Sequence, residues 1–211
     1  MKSIPRFLRT DAPALAPFAA ILSAMPSDRL PTVEEIDGAC GARASMRFER
    51  AAPRPRRAAR RAQDDTRPSY DERIAEGVVP TRAENLHDLM NAVVWAAFPR
   101  AKRAIHAIQL AHLRASIDRS ARSPAHDTIA MLDEGGVLFA GSPDEPRGMI
   151  VVGHAILEHT LTRSRPVFGL GVEVERIDRP LDELDRELAG MLDSPGRFVS
   201  HRSFPRVRVG G

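Results

Sequence analysis

The chain has 211 residues, 43% of them apolar and only 5% aromatic, so a sizeable core has to be built mostly from Leu, Ile, Val and Ala. No apolar run reaches the roughly 18–20 residues that a bilayer requires. The single Cys40 excludes an internal disulfide and any all-cysteine metal site, and the default compartment is the cytoplasm. The net charge of +3 hides an asymmetry, since residues 1–67 hold 13 Lys/Arg against 8 Asp/Glu while the remainder is slightly acidic.

In chain order, Ala12–Met25 reads as a short packing helix interrupted by Pro13 and Pro17, not as an export signal. Cys40 sits between Gly38 and Gly41 and is expected half-buried in a turn. Residues 1–49 form an N-terminal helical or irregular segment. From Arg50 to Arg61 there are six arginines, two prolines and no apolar period. Such a stretch buries too little surface to offset its ordering entropy, so residues 50–69 are expected to be a linker. An arginine arm can also hold nucleic-acid phosphates by releasing counterions. Without interleaved aromatics, Arg50–Arg61 is preferred as the linker, and no membrane partner is expected.

The core domain is predicted over 70–193. Thr81-Arg82-Ala83-Glu84 has the form of a capping box, opening a helix over Thr81–Phe98 with Leu86, Leu89, Met90, Val93, Val94 and Ala97 on one arc. Pro99 ends it, and a second helix runs to about Ile117. Asp127–Asp133 and Val137–Ala140 read as strands of a hairpin around Glu134-Gly135-Gly136. Met149–Val152 is apolar, His154–Leu161 reads as a helix, and Val167–Val174 as a strand whose glycines mark close backbone approach. Asp178-Arg179-Pro180 opens a last amphipathic helix, and 194–211 is an irregular basic tail. The fold class expected is a helix-rich α+β single domain with a small antiparallel sheet, made of the hairpin near 127–140 and the strand near 167–174.

The Thr81–Phe98 helix carries the chemistry. It has no charged residue between Leu89 and Phe98, so it is predicted to be buried, yet one arc holds Glu84, His87, Asp88, Asn91 and Trp95. Buried polar groups need partners, because an unpaired one costs about 1–3 kcal/mol. His154 and Glu158, four apart on one helix face, are the candidates to face that arc. Two readings stay open. In one, these side chains close a hydrogen-bond network that fixes helix register; this is the preferred reading. In the other, His87, Asp88, His154 and Glu158 hold a divalent metal, with His87, Asp88 and Asn91 as catalytic residues. Trp95, Arg100 and Lys102 are then candidates for substrate binding, the two cations receiving an anion. No His-Glu-x-x-His helix, nucleophile elbow or phosphate-binding glycine loop is present.

Several strings together resemble a known family: Tyr70-Asp71-Glu72-Arg73-Ile74 with Gly77, Val79-Pro80-Thr81-Arg82, and Asn85-Leu86-His87-Asp88-Leu89 continuing through Asn91, Trp95, Phe98-Pro99-Arg100 and Lys102. Leu132-Asp133-Glu134, Gly136 and Gly153-His154-Ala155 with Leu157-Glu158 extend the likeness over roughly residues 70–175. The family is a bacterial one known as domain of unknown function 3025. The resemblance implies no established activity. It singles out His87, Asp88, Asn91, Trp95, Arg100, Lys102, His154 and Glu158 as matching positions. Leu86 stands where the family usually has a tryptophan and His106 where an asparagine is usual, and the family's aromatic-rich end is replaced by Phe204-Pro205-Arg206-Val207-Arg208. Two function classes follow from the residues: a metal-assisted hydrolase of a small or phosphorylated substrate, and a non-catalytic binding or interaction module with a structural polar cluster.

Overall fold

The computed structural model describes residues 13–52, 68–115, 123–162, 165–194 and 196–210. Residues 53–67, which hold most of the arginine–proline arm, lie outside these, as do 1–12. Among the described residues no helix is long and apolar enough to cross a membrane.

Near the N-terminus a 3-10 turn, Pro13–Phe18, runs into α1 (Ala19–Leu22) and buries Leu15, Phe18, Ile21 and Leu22. These side chains join the same core as the later helices, so the segment is part of the packed body. Thr32 and Glu35 cap α2 (Val33–Ile36) reciprocally, and the chain continues helically through Asp37–Gly41 into α3 (Ala42–Ala44). Cys40 lies in this helical stretch and is wholly buried, not half-buried in a turn; burial pushes its thiol up to about 12, which leaves it inert at neutral pH.

β1 (Arg47–Arg50) pairs in parallel with β2 (Val78–Thr81), and α4 (Tyr70–Ala75) lies between them in sequence, capped by Ser69 and Glu72. Thr81 is therefore a strand residue. It is paired with Arg50, and its hydroxyl donates to the Val79 carbonyl. The expected capping box does not form, because strand pairing holds Thr81 extended and Glu84 takes a left-handed φ of 52° that no helix can include. The helix α5 runs Leu86–Ala97 instead, with Asn85 accepting from the Asp88 amide as its cap. Leu89 through Ala97 are all buried, as a chargeless stretch requires.

Phe98 breaks the helix and α6 (Pro99–Ala115) follows. Its first turn is closed by a residue distant in sequence. The fully buried Asp185 carboxylate, on α9 (Leu181–Leu192), accepts from the Arg100 amide at 3.1 Å and the Ala101 amide at 2.9 Å. Negative charge at a helix N-terminus is favourable and the amides have no other partner in the helix. Asp185→Ala is expected to cost about 1–2 kcal/mol, read as a lower urea midpoint with an unchanged slope; an unmoved midpoint would rule out this capping role.

Residues 127–133 depart most from expectation. They belong to α7 (Pro124–Gly135), which starts at the Ser123 cap with Pro124 in its first turn. Thr128, Ile129 and Leu132 point inward at helical spacing, and Ala130, Met131 and Leu132 are good helix formers, so packing and local propensity agree on a helix. The strands are β3 (Gly136–Gly141), β4 (Pro146–Val151), β5 (Val167–Glu173) and β6 (Arg206–Val209), in the order β4-β3-β5-β6. The β3–β4 hairpin and the β5–β6 pair are antiparallel. β3 and β5 run parallel, joined across α8 (His154–Thr162), so the small sheet is mixed and the helix-rich α+β class stands. The tail expected to be irregular supplies β6, whose Val207 and Val209 face the core.

Candidate metal centre

Three helices meet at one point because of a glycine. An added Cβ at Gly153 would lie 2.4–2.5 Å from the backbone of Gly135 and Gly136, so only glycine allows the chain to cross there. The Val152 and Gly153 amides both donate to the Gly136 carbonyl at 2.9 Å. The start of α8 thus rests on the end of α7, and His154 comes beside Asp133 and Glu134. The first turn of α5 packs against α8 from the other side and brings His87 to the same place.

The hydrogen bonds fix how each imidazole is presented. His154 Nδ1 lies 2.9 Å from the Asp133 backbone carbonyl, which can only accept, so Nδ1 carries the proton. Burial pushes the His154 pKa down to about 3, helped by the nearby Lys102 and His87 and opposed by Asp133. The ring is neutral at pH 7 and its Nε2 offers a lone pair. His87 Nδ1 lies 3.0 Å from Glu158 Oε2, and its Nε2 lies 3.1 Å from His154 Nε2. His154 and Glu158, one turn apart on α8, therefore both reach His87.

Glu134 completes the cluster. Its Oε2 is 3.5 Å from His154 Nε2, and one ligand atom each from His87, Glu134 and His154 lie within 4.8 Å of one another. The Glu134 side chain is 54% exposed, so this edge of the cluster opens to solvent. Partial burial and the adjacent Asp133 push its carboxyl up from the usual range. With metal–nitrogen bonds of about 2.0–2.1 Å, two imidazoles on one ion stand roughly 2.9–3.4 Å apart. The Nε2 separation fits that span, and it equally fits a direct N–H···N bond with His87 Nε2 as donor.

Not every residue singled out by the sequence reaches this place. Asp88 is turned toward the preceding loop, where it accepts from the Arg82 amide at 2.6 Å and from its guanidinium at 2.7 Å. Asn91 donates to the Tyr70 hydroxyl at 2.9 Å, away from the two imidazoles. Glu158 touches His87 from behind and lies outside the group of three. Trp95 is fully buried and stacks on His106, with ring centroids 5.4 Å apart. Arg100 pairs with Asp185, and Lys102 is inside the core in an ion pair with Asp133. Glu134 was hidden from sequence reasoning because 127–133 looked like a strand leading into a hairpin turn. The Ser123-Pro124 helix start, with inward residues at helical spacing, was the signal that could have placed it on a helix end.

The fold and site together define a helix-rich α+β protein with two imidazoles and one carboxylate converging at the meeting point of three helices. The model of the family described as protein of unknown function (DUF3025) matches residues 58–149, so the resemblance read from the sequence stands. That stretch includes His87 and Glu134 and ends before His154. No curated protein matches the chain. Among solved structures, the phenylalanine hydroxylase of Legionella pneumophila is similar with a TM-score of 0.50 and 14% identity, over 87% of this chain and 83% of that one. The apo form of the cold-active phenylalanine hydroxylase of Colwellia psychrerythraea 34H gives a TM-score of 0.48 and 12% identity, over 89% of this chain and 82% of that one. At such identities the likeness is one of fold.

Proposed function

We propose that this protein is a metal-dependent enzyme with a single divalent ion held by His87 Nε2, His154 Nε2 and the Glu134 carboxylate. One observation carries the reading: each imidazole is held at its Nδ1 by a fixed oxygen, Glu158 for His87 and the Asp133 carbonyl for His154, so that both Nε2 atoms aim at one point beside a third donor. Metal-binding histidines are held in this way almost without exception.

Two imidazoles and one carboxylate, with the remaining positions open, are the donor set of non-haem iron(II) oxygenases. The fold shared with a phenylalanine hydroxylase supports the same choice by analogy. Iron(II) bound here would supply redox chemistry toward dioxygen, and the solvent-facing edge at Glu134 would admit a small substrate. Burial keeps His154 unprotonated well below neutral pH, so its lone pair stays available. Hydrolysis of a phosphorylated substrate has less support. The cations expected to receive the phosphate, Arg100 and Lys102, are both committed to carboxylates.

The test is metal content. Protein purified without chelator, or reconstituted anaerobically with iron(II), should hold about one equivalent per chain, and the iron-loaded form should consume dioxygen with its substrate. One equivalent of zinc retained in preference to iron would favour hydrolysis. Protein that holds no divalent ion under either treatment would leave His87, His154 and Glu158 as a structural network and end the enzymatic reading.

A further inference from the structure

A buried ion pair stands directly behind the proposed centre. Lysine stems usually carry their ammonium out to water, yet Lys102 is 2% exposed and ends inside, against the Asp133 carboxylate and 5.4 Å from the centroid of Trp95. The other Asp133 oxygen is 3.9 Å from His106 Nε2, and His106 Nδ1 is 2.8 Å from Asp71. Burial works to raise the Asp133 carboxyl, but Lys102, His106 and His154 together hold it below the usual range.

Asp133 is bound at both ends. Its side chain takes Lys102, while its backbone carbonyl takes the Nδ1–H of His154, and the next residue is Glu134. This is the last turn of α7, where carbonyls have no partner within the helix and the end frays unless tied down.

We propose that Lys102 is a positioning residue for the metal centre: by fixing the Asp133 side chain it fixes the last turn of α7, and so both the carbonyl that orients His154 and the carboxylate of Glu134. This rests on the metal reading above. A ligand set must be held within about 0.5 Å of its working geometry by neighbours that are themselves locked. Lys102 locks Asp133 from α6, an element that contributes no ligand. Partners that orient a metal-binding histidine are worth about 10–100-fold in metal affinity, and Lys102 holds the residue that orients His154.

Cobalt(II) is the probe, because its visible bands report coordination geometry as well as occupancy. Lys102→Met and the double variant Lys102→Met/Asp133→Asn are titrated beside the wild type, with folding checked by circular dichroism. The double variant leaves no unpaired charge in the core and carries the comparison alone if Lys102→Met does not fold. Thr32→Ala, which removes the side-chain cap of α2, serves as the control for stability. The expected result is cobalt binding weaker by tenfold or more in the Lys102 variants, with shifted bands, and wild-type binding in Thr32→Ala. Folded Lys102 variants with the affinity and bands of the wild type would overturn the inference, as would an equal loss in Thr32→Ala. A wild type that takes up no cobalt overturns the metal centre itself, and this inference with it, before any variant is compared.

Discussion

His154→Ala is expected to lower metal affinity by at least about a hundredfold and to bring the metal content of purified protein close to zero. The residue is the innermost of the three donors, and its Nε2 lies 3.1 Å from His87 Nε2 and 3.5 Å from Glu134. Removing it leaves one imidazole and one carboxylate, too few to hold an ion against water. Glu158→Gln should cost less, about 10–100-fold, because the amide oxygen still accepts from His87 but without the charge that makes the ring a better donor to metal. Asp88→Asn should change affinity by less than about threefold, since its carboxylate is taken by Arg82 and holds neither a donor nor an acceptor that orients one. Metal analysis and competition titration of the three variants decide the ligand set. If Asp88→Asn abolished binding and His154→Ala did not, the centre would have to be drawn around different residues.

Acid should destabilise the metal-free protein before most of its carboxylates titrate. The pKa of His154 is pushed down from 6.5 to about 3 in the folded state, chiefly by burial. Between those values the unfolded chain binds the proton and the folded chain does not, so stability falls as pH falls. The contribution is complete above about pH 6.5 and is lost progressively toward pH 3. At about 1.4 kcal/mol per unit, the loss reaches roughly 2 kcal/mol by pH 5. It approaches the order of 4 kcal/mol at the lower end of the window. Asp133 adds a loss of the same sign at lower pH, because its carboxyl is held below the usual range. Urea unfolding in the presence of chelator at pH 7, 6 and 5 measures the slope. In His154→Leu the slope over this range should largely disappear; a wild type equally stable at pH 7 and 5 would mean that the folded state protonates His154 without penalty.

Much of the helical frame is legible from local pattern alone. The chargeless run from Leu89 to Phe98 can only be buried, and Leu89–Ala97 of α5 are covered on every side. The four-residue spacing of His154 and Glu158 places them on one face, and both meet His87. Prolines at 99, 124 and 180 stand at the starts of α6, α7 and α9. These features follow from backbone sterics and from the period of the helix, which act within a few residues.

Partnership between distant residues is another matter, and the tertiary structure decided it. Thr81 has the side chain of a helix cap, but pairing with Arg50 across the two-stranded sheet makes it a strand residue. Asp127–Asp133 reads as a short β-like run ahead of a Glu-Gly-Gly turn, but burial of Thr128, Ile129 and Leu132 makes it a helix and carries Glu134 to His154. Asp88 and Asn91 share an arc with His87, yet Arg82 and Tyr70 take them and leave the imidazole to α8. The sequence by itself determined which helix faces are buried and which polar groups must find partners, because hydrophobic period and chain sterics are local. Which donor each of those groups meets depended on the crossing of α7 and α8 at Gly153, a contact between elements that only the folded chain brings together.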